Sequence, residues 1–451
     1  MTENSGSLDR IRSHFQLAKF GTNLRTEILA GTSTYLSLAY IFIVNPAILA
    51  KAGMDPSAVL FATVCASTVA TLVMGFWANL PFAVAPGLSM NGFFAFVVCG
   101  ILGETWQQGL GTVFISGLLC VLATVFGIRK GIISSIPTGL KQSITTSIGV
   151  FIAVIGLFLA KIVTYEGGVL NYRHLSFDAL SSPYALVLYA GLIVAAALGA
   201  RRLHIPGGMI IAIVVAAGLC YGLKIEQGAI PNLMGAPFKA VGQLELGVLF
   251  QPKFWSPILV FFILDFMEGV GQIVGLTSGT TMQDKDGHVP TIGKALYVDG
   301  GGTMLGSLLG TSSLIIFIES AIGIKAGGRT GLTAIVCAVL MAASIIFSPV
   351  ISLIPSEAAA GVLVYVGYLI LPINKSSTGT EKYNTFDIVT SAFMGLIVIC
   401  TFSLDKAMAF GFWAYFVRSM ARPGSQNRQY WLGIIALILT FSIVWQLRVQ
   451  S

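Results

Sequence analysis

Charged residues are scarce in this chain. Only 10% of its 451 residues are Asp, Glu, Lys or Arg, whereas 55% are hydrophobic. A soluble domain carries roughly 25% charged residues because its surface must be solvated. With a mean hydropathy of +0.85, the composition excludes a water-soluble globular protein. Histidine is scarce as well, and His14, His174, His204 and His288 fall in the N-terminal tail or in loops, which argues against a haem or metal site. The six cysteines (Cys65, Cys99, Cys120, Cys220, Cys337, Cys400) sit singly in apolar segments and read as small hydrophobes. Neither a phosphate-binding loop nor an intramembrane nucleophile–base pair is present, so ATP drive and enzymatic chemistry have no residues to rest on. No cofactor is expected.

What the chain does have is long apolar runs. A bilayer span takes roughly 20 apolar residues. Candidates begin near residues 26, 58, 83, 110, 144, 183, 207, 255, 292, 312, 330, 354, 385 and 405, with a further hydrophobic stretch at 430–447. The expected fold is an all-α polytopic membrane protein of about 14 spans, either of the last two stretches crossing the bilayer or lying along its interface. The first run follows a polar, basic segment and lacks a small-residue cleavage site, so it reads as a retained span.

The net charge of +7 is a topology signal. With a cytoplasmic N-terminus, eighteen of the 26 basic residues fall in inside loops, among them Arg10, Arg12, Lys19, Arg25, Arg129, Lys130, Lys141, Arg201, Arg202, Lys325, Arg329 and Arg418. That is the positive-inside bias of a plasma-membrane protein, here a bacterial inner membrane. It leaves the lipid bilayer as partner and excludes nucleic acid.

The largest polar stretches, 164–182 and 224–254, fall on the outer side, and the second separates two sets of about seven spans. An odd number per half forces the halves into opposite orientations, the geometry of inverted repeats in secondary transporters. The third span of each half is interrupted: Ala85-Pro86-Gly87-Leu88-Ser89-Met90-Asn91-Gly92 in the first, Gly310-Thr311-Ser312-Ser313-Leu314 up to Glu319-Ser320 in the second. Paired short, broken spans at matching places point to a binding site at the repeat interface.

Three acidic residues lie inside apolar spans: Asp265, Glu268 and Glu319. A carboxylate at mid-bilayer depth costs roughly 2.5 kcal/mol or more on insertion scales and is the material of proton relays. No Lys or Arg shares their spans, which argues against structural ion pairs. Asp265 and Glu268 are three apart and share a helix face, so both are expected to point into one cavity. Glu27, Asp299 and Glu357 lie at span boundaries and read as interfacial. Asn91 can donate and accept, which suits either a polar ligand or a lock on broken backbone.

At these residues the chain resembles the AzgA-like purine permeases (hypoxanthine, guanine and adenine), a branch of the nucleobase–cation symporter-2, or nucleobase–ascorbate transporter, family. The likeness runs over roughly 18–420. It is densest in Asn79-Leu80-Pro81-Phe82-Ala83-Val84-Ala85-Pro86-Gly87 with Asn91-Gly92-Phe93-Phe94. It returns in Gly127-Ile128-Arg129, Ala295-Leu296-Tyr297-Val298-Asp299, Leu309-Gly310-Thr311-Ser312-Ser313, Ile318-Glu319-Ser320 and Gly327-Gly328-Arg329-Thr330-Gly331-Leu332. The resemblance implies 14 spans in two inverted seven-span repeats, a core moving against a gate, short strands before the half-helices, and a homodimer. By that likeness 1–25 is a cytoplasmic segment, 26–142 and 255–351 are core, 143–224 and 352–451 are gate, and 225–254 is an extracytoplasmic loop. Glu319 matches the glutamate of span 10, and Glu268 stands where the branch has an Asp on span 8. Two departures stand out: Phe266-Met267-Glu268-Gly269-Val270-Gly271-Gln272 carries the longer acid, and Leu314-Ile315-Ile316-Phe317 is apolar where the branch often has hydroxyls and a tyrosine.

The function expected is proton-coupled import of a nucleobase, most simply a purine. Another planar heterocycle (a pyrimidine, a xanthine-like base or a triazine) or an uncoupled facilitator is the alternative. Substrate contacts are expected from Glu268, Glu319, Asn91, Ser89, Phe93, Ser313 and Phe317, with Phe93 and Phe317 sandwiching the ring. Proton coupling is expected from Glu268, Asp265 and Glu319, with H+ as the coupling ion.

Overall fold

The computed structural model describes residues 9–10, 12–127, 137–166, 169–171, 182–199, 207–225, 238–277, 280–284, 289–351, 353–371, 384–421 and 426–450. Much of both outer polar stretches, and the loop cations Arg129, Lys130, Arg201 and Arg202, lie outside the described residues.

Helix α1 (Leu24–Leu38) starts where the Asn23 side chain accepts the Thr26 amide at 3.0 Å, and it gives way at Ala39–Tyr40 to α2 (Ile41–Leu49). Helix α3 (Pro56–Val73) begins at Asp55, whose carboxylate accepts the Ser57 amide at 2.8 Å. Pro56 occupies the first turn, where an amide would have no partner. The span widens into a π turn, Met74–Ala78, and stops at Asn79, held left-handed at φ 52°. Strand β1 (Val84–Pro86) follows, then α4 (Leu88–Gly92), prolonged as wide π turns over Phe93–Ile101. Helix α5 (Trp106–Val125), with a Thr105/Gln108 capping box, comes next. Then come α6 (Thr138–Leu159), the hairpin β2 (Thr164–Glu166) and β3 (Val169–Asn171), α7 (Pro183–Gly199) and α8 (Gly208–Gly222).

The second half repeats this order of elements. It runs α9 (Trp255–Thr277), α10 (Ile292–Leu309), β4 (Leu314–Ile316), α11 (Ser320–Lys325), α12 (Gly331–Ala343), α13 (Ala360–Ile370), α14 (Thr385–Thr401) and α15 (Leu404–Met420), ending in α16 (Gln426–Gln450). Among the described residues, five helical runs are long and apolar enough to cross a membrane: Leu24–Ala52, Pro56–Ala78, Trp106–Val125, Thr138–Leu159 and Pro252–Thr277. Shorter apolar helices accompany them. Large apolar side chains stay exposed on the outer helix faces, Val125, Ile193, Val214, Val339 and Phe393 among them, as a surface solvated by lipid requires.

Packing interleaves the two halves. Helix α12 lies against α1 and α3, α10 against α3 and α5, and α9 against α5, while α6 packs on α13 and α14. The crossing of α3 and α12 has no room for a side chain. A Cβ added to Gly331 would lie 1.9 Å from the Gly75 carbonyl oxygen.

The three boundary acids are buried within the protein. Glu27 and Asp299 are fully buried and Glu357 is 8% exposed, with Lys161 3.9 Å away. Glu27 closes the start of α12. Its carboxylate accepts the amides of Arg329 (2.9 Å), Thr330 (3.3 Å) and Thr333 (3.1 Å) and the Thr333 hydroxyl (2.6 Å). A helix end inside protein leaves orphan N–H groups that water cannot reach, and an anion there is favoured by the helix dipole.

Candidate functional site

The two interrupted spans meet as a pair of short strands. Strand β1 runs antiparallel to β4, with Val84 opposite Ile316, Ala85 opposite Ile315 and Pro86 opposite Leu314. The pairing extends past both ends, where the Gly87 amide donates to the Ser313 carbonyl (3.0 Å) and the Phe317 amide to the Ala83 carbonyl (2.9 Å). A two-stranded ribbon alone is marginal. Here side chains serve its outer edges. The Thr71 hydroxyl takes the Val84 amide (3.0 Å) and lies 3.2 Å from the Val84 carbonyl, Ser320 Oγ takes the Ala83 amide (3.0 Å), and Thr303 Oγ1 serves the Leu314 carbonyl (2.9 Å). Beside the ribbon, the Asn45 amide binds Thr63 (2.6 Å) and Thr311 (2.9 Å), fixing the turn into β4.

The ribbon places the residues singled out from the sequence. Glu319 lies in the turn between β4 and α11, one residue ahead of the helix. It accepts the Tyr40 hydroxyl at 2.6 Å, and Tyr40 itself stands at the break between α1 and α2. On α9, Glu268 accepts the Ser89 hydroxyl at 3.0 Å, Ser89 lying in the first turn of α4. Both glutamates are half-buried, and among the described residues neither is paired with a Lys or Arg. Each acid of the second half is therefore held by a neutral hydroxyl of the first. Asn91 is fully buried, and neither atom of its amide has a hydrogen-bond partner among the described residues. An uncompleted buried amide costs about 1–3 kcal/mol.

The structure separates Asp265 from Glu268. Asp265 is fully buried and its Oδ2 lies 3.0 Å from Thr303 Oγ1 on α10, behind the ribbon, whereas Glu268 reaches α4. The three-residue spacing puts the two on one flank of α9, but the neighbours they meet differ. Ser313 joins the Asp265 group, its Oγ 3.0 Å from Thr303 Oγ1. Phe93 is fully buried and meets Phe261 of α9 edge-on, ring centres 5.1 Å apart, while Phe317 is buried just beyond β4. Sequence reasoning missed Tyr40 and Thr303. A signal existed for the first, because a tyrosine in the middle of a long apolar run needs a partner for its hydroxyl.

Two broken spans paired through short strands, flanked by carboxylates inside an apolar helical body, define a polytopic membrane transporter. The chain belongs to the permease family Xan_ur_permease, whose pattern it matches over residues 25–404. It is 33% identical over 448 residues, 98% of each chain, to the adenine permease AdeQ of Escherichia coli K12. It is 32% identical over 446 residues to the guanine/hypoxanthine permease PbuO of Bacillus subtilis 168, covering 96% of this chain and 98% of that one. Among solved structures, the transmembrane domain of the cyanobacterial bicarbonate transporter BicA shares the fold, with a TM-score of 0.62 at 16% identity over 86% of this chain and 97% of that one. The protein is a nucleobase-family permease and not an enzyme.

Proposed function

We propose that this permease imports a purine nucleobase together with protons, by movement of a core (26–142 and 255–351) against a gate (143–224 and 352–451), through about 14 crossings of the plasma membrane with the N-terminus inside. The observation that carries the reading is the set of unspent hydrogen-bonding groups at the strand junction. Among the described residues, Glu268 and Glu319 each hold one hydroxyl, and the buried Asn91 amide holds none. A purine presents ring N–H donors, ring nitrogen acceptors and exocyclic groups around one plane. Carboxylates accept from the first, and an amide serves both kinds. Ser89 and Tyr40 orient the acids, and Phe93 and Phe317 close the apolar faces. Adenine and guanine/hypoxanthine permeases among the relatives support a purine over a pyrimidine. A site built on specific polar pairs discriminates strongly against analogues that leave them unpaired.

The test is uptake of labelled adenine, guanine, hypoxanthine and uracil into proteoliposomes, with and without an imposed proton gradient. Concentrative purine uptake that a protonophore abolishes is expected. Uptake that only equilibrates removes symport and leaves a facilitator, and selective uptake of uracil removes the purine. Full activity of Glu319→Gln removes the role given to that carboxylate.

A further inference from the structure

Thr303 Oγ1 has three oxygen neighbours within 3.0 Å: Asp265 Oδ2 at 3.0 Å, Ser313 Oγ at 3.0 Å and the Leu314 carbonyl at 2.9 Å. All four residues are fully buried. A threonine hydroxyl carries one proton and two lone pairs. Three O···O contacts need three protons. The hydroxyls of Thr303 and Ser313 supply two, and a carbonyl supplies none. With Asp265 ionised, Thr303 serves either the carboxylate or the Leu314 carbonyl, and two acceptors are left facing without a proton. With a proton on Oδ2, Asp265 donates to Thr303, Thr303 to the Leu314 carbonyl and Ser313 to Thr303. Every contact then carries one. We infer that the arrangement is that of the neutral acid, and that Thr303 is a positioning residue through which the proton on Asp265 fixes strand β4.

The first half supplies the comparison. Thr71 serves the edge of β1 in the matching place, but it takes the Val84 amide and has no acid among its hydrogen-bond partners. Among the described residues, the edge of β4 is wired to a titratable group and that of β1 is not. Loss of the proton from Asp265 draws the Thr303 hydroxyl to the carboxylate and releases the Leu314 carbonyl, three residues from Phe317 and five from Glu319. A proton thereby changes the ribbon that frames the site without touching the substrate. On elements packed against α9, the titratable groups are Cys120 of α5, Lys253 of the turn at 252–254, Lys294, Tyr297 and Asp299 of α10, Lys325 of α11, and Asp405, Lys406, Tyr415 and Arg418 of α15, and the sequence of α16 carries Arg428, Tyr430 and Arg448; Glu268 lies on α9 itself and Glu319 beside α11. The inference rests on the proton-coupled reading above.

The test has two arms on purified full-length protein. The first is difference infrared spectroscopy in proteoliposomes at neutral pH. A carboxylic-acid C=O band is expected that vanishes in Asp265→Asn and shifts in Thr303→Val but not in Thr303→Ser. Absence of any band assignable to Asp265 overturns the inference whatever the transport result. The second arm is uptake of labelled adenine, guanine and hypoxanthine. Thr303→Val is expected to bind the transported base, by thermal shift, within about threefold of the parent, yet to lose most of the accumulation driven by a proton gradient, with Thr303→Ser restoring it. Intact gradient-driven accumulation in Thr303→Val overturns the coupling. If the parent itself never accumulates a base, the symport proposal has failed, and the infrared arm still decides the proton on Asp265.

Discussion

Removing Glu27 is expected to cost more stability than its place near a span boundary implies. Its carboxylate ties the first span to residues about 300 positions later, through three backbone amides and a hydroxyl at the start of α12. In Glu27→Ala the Thr333 hydroxyl retains the Glu27 carbonyl, 3.4 Å away. The three amides lose their acceptor. At about 1–3 kcal/mol for each unpaired buried donor, the loss is roughly 3–6 kcal/mol once water entering the vacated space offsets the upper end. The lost anion at the helix end adds about 0.5 kcal/mol. Glu27→Gln keeps one acceptor oxygen and should lose roughly half as much. The assay is thermal unfolding in detergent, followed by the fluorescence of the six tryptophans. The expected order is parent, then Glu27→Gln, then Glu27→Ala, the last lower by about 5 °C or more, since each kcal/mol moves a large domain by only a degree or two. An alanine variant melting within about 1 °C of the parent refutes the cap.

Tyr40→Phe removes the hydroxyl on Glu319 and little volume, so it should weaken binding of the transported base about tenfold in a thermal-shift titration while leaving the melting temperature of the empty protein nearly unchanged. Gly331→Ala drives a Cβ into the Gly75 backbone and should cost about 3 kcal/mol or more, seen as lost folded protein on size exclusion. Gly275→Ala on α9, where a Cβ meets nothing within 4 Å, is the neutral control. The last helix should end on the membrane face opposite the start of the first. Thr281, past the end of α9, bonds the Phe20 carbonyl (3.2 Å) ahead of α1. Trp255, at the other end of α9, lies 6.4 Å from Phe441 of α16. Reporters placed before α1 and after α16 should then read opposite compartments, an odd number of crossings in which α16 adds one to the 14 proposed, and the same compartment for both refutes the crossing of α16.

Much of this was legible in the residues. The apolar runs, the interruptions at Pro86 and Gly310, and the presence of Glu268 and Glu319 within apolar spans stand out in the sequence because breaks and charges are costly in a bilayer. The partners of those charges were not legible. Tyr40 and Glu319 are 279 residues apart, and Ser89 and Glu268 are 179 apart. Periodicity reports which face of a helix is apolar, not which helix will face it. The cap that Glu27 places on α12 was not legible for the same reason: a boundary in sequence says nothing of whether another helix begins against it. Asp265 and Glu268 share a flank of α9, yet meet α10 and α4, because a helix flank is wide enough to touch two neighbours.

The arrangement also constrains how the permease can move. Strand pairing, the Tyr40–Glu319 and Ser89–Glu268 bonds, the Asn45 bridge to Thr311 and the Glu27 cap all join the first half to the second. Each joins residues within 24–125 to residues within 255–343. Separating α4 from α11 would strip the ribbon of its backbone bonds and leave the carboxylates without their hydroxyls at the same moment, and unpaired buried groups of that number cost many times the 1–3 kcal/mol of one. In the proposed movement the two broken spans therefore travel together. By contrast, α6 meets α13 and α14 through apolar and small residues, with Ser143 and Ser391 2.9 Å apart as a polar contact near one end. The Asp387 cluster with Tyr415 and Arg418 reaches α6, through Ser143. Among the described residues these polar bonds hold each set to itself, while Phe96 of the first broken span packs its ring against Phe158 and Phe402. In the proposed core-against-gate movement, aromatic faces of this kind would slide without leaving a donor unpaired.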